Sequence, residues 1–117
     1  MKFSASLKLN HIFRRLYHTK GFADANLVLY VRRNHTPGNR IGYTVGKKLG
    51  KAHVRNLVRR RLREIYRLNE ARFLPGYDIV VVARTRAVEA SFQELTASFL
   101  QLAHRARLLK SQEANEC

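Results

Sequence analysis

An α+β fold, an α/β two-layer sandwich with a small central sheet and helices packed on it, is predicted for this 117-residue chain by three observations. Apolar residues recur at helical spacing in three segments, three others read as extended, and turn residues separate them. The resulting order is αββαβα. It forms one domain over residues 1–117, ordered over about 7–109 with flexible ends.

The first helix is expected over residues 9–18, with Asn10 as N-cap and Leu9, Ile12, Phe13 and Leu16 at helical spacing. Lys20-Gly21 ends it. Leu27–Arg33 and Arg40–Gly46 read as strands, and the turn Asn34–Asn39, with Pro37-Gly38, predicts that they pair as an antiparallel hairpin. Ala52–Asn69 is the long helix, with a buried stripe of Val54, Leu57, Val58, Leu62, Ile65 and Leu68. Arg61 falls within that stripe and is expected at its edge, stem packed and head reaching out. After Pro75-Gly76 comes the strand Tyr77–Arg84, whose unbroken apolar centre predicts burial on both faces and an interior position. Ser91-Phe-Gln-Glu94 is a capping box opening a last helix to about Leu109, with Phe92, Leu95, Phe99, Leu102 and Ala106 on its apolar face.

Composition narrows the partner. Charged residues are 26% of the chain, an ordinary share, but 23 are Lys or Arg and only 8 are Asp or Glu, for a formal net charge of +15. Arg outnumbers Lys 16 to 7, and guanidinium forks grip phosphates bidentately and stack on bases. A polyanion is the partner that relieves such self-repulsion. Cys117 is the one cysteine, expected to be a frayed tail thiol in a reducing compartment. No apolar run reaches membrane-spanning length and Met1–Leu16 lacks the apolar stretch of a signal peptide, so a cytoplasmic protein without a membrane partner is expected.

Eight of the cations fall between Lys47 and Arg63, with no acid from Asp24 to Glu64. On the long helix, Arg55, Arg59, Arg63, Asn56, Arg67 and Arg60 lie opposite the apolar stripe. A merely solvated face normally interleaves acids for i,i+4 pairing. A membrane-surface helix carries bulky aromatic anchors, whereas this stripe is short and aliphatic. Nucleic acid is therefore the expected ligand, with Asn56 adding a neutral donor and acceptor. Gly50, between Lys47, Lys48 and Lys51, lets the loop turn sharply into the helix and aim backbone N–H groups at phosphate. Phe13 and Tyr17 share one flank of the first helix. Phe13 also suits the core, while Tyr17 and Tyr30 suit a stacking platform for unpaired bases.

No catalytic or metal-binding residue is assigned. His11, His18, His35, His53 and His104 show no ligand spacing and no shared element face, although distant histidines can meet in a fold. Asp78 and Glu89 look isolated, and a two-metal carboxylate site is a poor fit to so few acids.

The stretch GYTVGKKLGKAHVRNLVRRRLRE, Gly42 to Glu64, resembles the signature of the bacterial ribonuclease P protein subunit: a strand, a KKxGKA turn and an RNxxKRxxRE helix. The likeness extends from about Leu7 to Leu109, through the Leu7…Phe13…Tyr17…Gly21 spacing, the strand Asp78–Arg84 and the final helix. Gly46 stands where the family often has Ser, His53 where a β-branched residue is common, and Arg59 where Lys is commoner. His53 is assigned no role. The resemblance implies a cytoplasmic ribonucleoprotein that removes the 5′ leader of precursor tRNA. Its catalytic centre is RNA, using Mg²⁺ held mainly by RNA, with no cofactor on protein side chains and no obligate protein partner. By the same resemblance Arg55, Asn56, Arg59, Arg60 and Arg63, with the basic turn Lys47, Lys48 and Lys51, meet the RNA subunit or lie beside substrate; Arg67 extends that face. Phe13, Tyr17 and Tyr30 map onto a leader-binding cleft between the first helix and the sheet. The family fold also contains a left-handed βαβ crossover, against the usual right-handed rule. Two other readings stay open: a general RNA-binding or ribosomal-type structural protein, and a protein-only nuclease.

Overall fold

Strand β5 (Tyr77–Ala83) lies at the centre of the sheet, because its run Ile79–Val81 is apolar on consecutive residues and must be covered on both faces. The computed structural model describes Ser4–Ser6 and residues 21–110, and the expected first helix with its residues Leu9–His18 lies outside that range. Five strands line up in the order β1-β4-β5-β3-β2, where β1 is Ser4–Ser6, β2 Gly21–Ala23, β3 Leu27–Arg33 and β4 Asn39–Thr44. β5 pairs antiparallel with β3 (Val31 opposite Ile79) and parallel with β4 (Ile41 opposite Ile79).

The expected β3–β4 hairpin is therefore corrected. The two strands run in opposite directions as predicted, but β5 lies between them, and residues 34–38 bridge two strand spacings of about 4.8 Å each. Asn34 holds this bridge. Its N–H donates to Gly76 O at 2.9 Å, its side-chain amide donates to Gly38 O and Asp78 Oδ1, both at 3.1 Å, and its Oδ1 accepts from Thr36 N at 2.9 Å. Pro37-Gly38 thus turns the chain over the start of β5.

Helix α1 (Ala52–Asn69) joins the parallel neighbours β4 and β5, and helix α2 (Phe92–Arg105) follows β5. Both pack on the face that carries Leu29, Ile41, Ile79 and Val81. The buried stripe of α1 is Val58, Leu62, Ile65 and Tyr66, rotated from the expected one; Leu57 and Leu68 are 39% and 58% exposed. Tyr66 draws the helix round. Its ring meets Phe73 edge-on at 5.0 Å and stacks near Phe99 at 6.4 Å, while Phe73 meets Phe99 at 6.0 Å, so three rings join α1, α2 and the link between α1 and β5. Asn39, buried beside them, donates to Tyr66 Oη at 3.3 Å and Leu74 O at 3.0 Å and accepts from Tyr77 N at 2.8 Å.

The capping box of α2 forms as predicted: Glu94 N donates to Ser91 Oγ at 3.0 Å and Ser91 N to Glu94 Oε1 at 2.8 Å. The helix ends at Arg105, four residues before the expected Leu109. Arg107 takes a left-handed φ of +60°, Arg107 N donates to His104 O and Leu108 N to Ala103 O, which is a Schellman stop built without glycine. Leu108 is fully buried, and Leu74 N donates to Leu108 O at 2.7 Å, so the chain beyond α2 clamps the α1–β5 link.

Candidate nucleic-acid interface

A short 3-10 turn, Lys47–Leu49, leads from β4 into α1, and Gly50 follows it at φ +136°, a conformation L side chains rarely adopt. Lys47, Lys48 and Lys51 are exposed around this bend. The first turn of α1 has no acid and no side-chain cap, so its positive end adds to the lysines. Arg55 Nε donates back to Gly50 O at 3.1 Å, fastening the turn to the helix. Arg59 Nη1 donates to Asn56 Oδ1 at 2.9 Å, which leaves the Asn56 amide N–H groups as donors. Arg60 and Arg63 are exposed on the same side. Two of these guanidiniums are thus partly held before any ligand arrives, which lowers the ordering entropy that binding must overcome.

Arg67 differs from the others predicted with it. Its Nε donates to Glu64 Oε1 at 2.9 Å and the two form an ion pair. Hydrogen bonding to Arg67 holds the Glu64 carboxyl below its ordinary range and raises Arg67 in turn. Both are exposed, so the pair adds little stability, but it cancels one charge. The acid-free cationic run ends at Arg63. Arg61, half-buried, leaves this face altogether: its stem packs as expected and its head reaches the Ala90 carbonyl at 3.4 Å.

The opposite face of the sheet carries three cross-strand rows set by register. Tyr30, Val80 and Gly42 form one; Val28, Val82 and Thr44 a second; Arg32, Asp78 and Arg40 a third. Tyr30 is half-buried, and its ring covers Gly21 so closely that an added Cβ would lie 2.8 Å from Cε1. Phe13 and Tyr17, predicted to share its cleft, lie outside the described residues. Asp78, which looked isolated in the sequence, is fully buried and bound bidentately by Arg40, with both bonds at 2.7 Å. That hydrogen bonding raises the Arg40 pKa. The signal was available: one carboxylate inside a buried strand demands a cation.

One titratable feature lies elsewhere. Tyr43 has its hydroxyl buried without a hydrogen-bond partner among the described residues, and burial pushes its pKa well above that of a free phenol. Among the described residues no group of three His, Cys, Asp or Glu could hold a metal ion. No helix there is long and apolar enough to cross a membrane.

Comparison with known proteins adds a family. A family model described as Ribonuclease P matches residues 1–107. The chain is 40% identical over 106 residues to the ribonuclease P protein component of Natranaerobius thermophilus, covering 90% of this chain and 92% of that one. It is 44% identical over 101 residues to that of Clostridioides difficile, covering 85% and 89%. Its fold matches the RNase P protein of Staphylococcus aureus with a TM-score of 0.82 at 28% identity, covering 90% of this chain and 97% of that one. The RNase P protein of Thermotoga maritima matches at 0.78 and 31%, covering 86% and 96%.

Proposed function

The chain belongs to the ribonuclease P protein family, and on that premise we propose that its basic turn and helix bind the catalytic RNA while the opposite face of its sheet binds the 5′ leader of precursor tRNA. As the protein component of ribonuclease P it takes part in an endoribonuclease that matures tRNA 5′ ends. The observation that carries the division of labour is the acid-free run from Lys47 to Arg63, seven of whose eight cations, all but Arg61, lie on the turn and one helix face. Lys47, Lys48, Lys51, Arg55, Asn56, Arg59, Arg60 and Arg63 form that surface; Arg67 is its charge-compensated end. A polyphosphate scaffold satisfies this charge, and neutralising close phosphates lowers the Mg²⁺ the RNA needs to fold and react. In this reading no protein side chain performs the cleavage, and the divalent ions belong to the RNA.

The leader reading rests on Tyr30, an amphipathic ring in a row with the small Gly42 and apolar Val80, together with Phe13 and Tyr17 from the sequence. Only the precursor has a leader, so stacking there separates substrate from product. Tyr30→Ala in the reconstituted holoenzyme is expected to lower the preference for precursor over mature tRNA by about 1–3 kcal/mol per stacked base. Tyr30→Phe keeps it. An unchanged preference in Tyr30→Ala, measured by competition binding, rejects the stacking role.

A further inference from the structure

The turn between β2 and β3 is tied more firmly than its length requires. Asp24 Oδ1 accepts from Asn26 N at 2.8 Å and Leu27 N at 2.9 Å, and Asn26 Nδ2 donates to Ser98 Oγ on α2 at 2.9 Å. Two arginines from different elements close on this turn. Arg84, just after β5, donates through Nη1 to Asp24 O at 3.0 Å, and Arg105, in the last turn of α2, donates through Nη1 to Ala23 O at 3.2 Å. The Arg105 guanidinium also lies over the Phe22 ring, 6.0 Å from its centroid. Both arginines are exposed, and among the described residues neither forms an ion pair with a carboxylate. The nearby Asp24 carboxylate accepts both backbone N–H groups through Oδ1 and forms no ion pair with either arginine among the described residues.

Each guanidinium therefore spends one N–H on a carbonyl and keeps its remaining donors and its full charge. That is an oriented cation, suited to phosphate more than to a mobile counter-ion. Arg84 and Arg105 lie at the same end of the sheet as the basic turn, because β4 and β5 are parallel and β3 is antiparallel to both β5 and β2, and the turn Thr85–Val88 that follows Arg84 packs against Lys47–Leu49. Arg86 shares a cavity with Glu89 and Glu94 and is left out of this surface.

We propose that Arg84 and Arg105 form a second contact for backbone phosphates of the catalytic RNA, separate from the α1 face. This rests on the reading that the chain binds that RNA. A long folded polyanion already seated on the lysine turn is the partner able to reach both surfaces.

The test measures affinity of the full chain for bacterial ribonuclease P RNA across a salt series. Glutamine can still donate an N–H to each carbonyl while removing the charge, so R84Q/R105Q is the informative variant. The slope of log K against log salt should fall by about 0.9 per lost phosphate contact, hence by nearly two. R105Q alone, at an exposed position in the last turn of α2, should fall by about one and serves if the double variant does not fold. A slope equal to wild type in a folded variant overturns the proposal while leaving the α1 reading intact. So does a loss seen only in preference for precursor tRNA, which assigns the surface to substrate. Absence of salt-dependent RNA binding by the wild-type chain would instead remove the reading beneath it.

Discussion

Replacing Arg59 and Arg63 together with alanine weakens binding to ribonuclease P RNA and flattens its salt dependence by about two units of slope. Arg63 is exposed and Arg59 only partly covered, with a hydrogen bond to Asn56, so neither change opens the core. Stability should therefore stay near wild type while affinity falls at every salt concentration and most at low salt. Arg67→Ala is the internal contrast. Arg67 lies on the same helix face but is neutralised by Glu64, so its removal should change the slope by much less than one phosphate contact. A salt titration of RNA binding with these two variants separates a phosphate-contacting face from a generally basic one. Equal slopes for wild type and the double variant would return Arg59 and Arg63 to solvent.

Phe99→Ala is expected to act through the fold, costing about 3–5 kcal/mol, the range for emptying a buried aromatic site. Phe99 is fully buried and touches both Tyr66 and Phe73, so its loss leaves a cavity where α1, α2 and the link to β5 meet. Against a domain stability of roughly 5–15 kcal/mol, that removes much of the margin. Chemical denaturation should give a lower midpoint. RNA affinity at low temperature, where the variant stays folded, should be nearly unchanged because every cation remains. A variant with wild-type stability would contradict the three-ring account of the core.

The helix α1 was legible to its boundaries because apolar and basic residues alternate through it with one period, and the interior place of β5 followed from its unbroken apolar run. The capping box Ser91–Glu94 was legible because capping is local. What escaped depends on distant partners. Whether β3 meets β4 or β5 is decided by which strand needs covering on both faces, and Pro37-Gly38 suits a hairpin as well as a bridge over β5. The stripe of α1 turned toward Tyr66 because Phe73 and Phe99 await its ring, which no helical period encodes. The end of α2 was hidden because Arg107, and not glycine, takes the left-handed position. The strands β1 and β2, three residues each, are too short to carry a period.

The candidate site divides the same way. The cationic face was readable because it is one helix. The neutralisation of Arg67 by Glu64 was readable too, because the two stand three residues apart on one helix. That Asp78, inside a buried strand, needs a cation was readable, but its pairing with Arg40, and the meeting of Arg84 with Arg105 at the β2–β3 turn, required the sheet.

The central claim is that this protein serves a catalytic RNA without doing the chemistry itself. Purified protein, bacterial ribonuclease P RNA and precursor tRNA, combined singly and together at low Mg²⁺, test it most directly. Cleavage at the leader junction should appear only when protein and RNA are both present. Leader removal by the protein alone, or a rate for the RNA that the protein leaves unchanged, would contradict it.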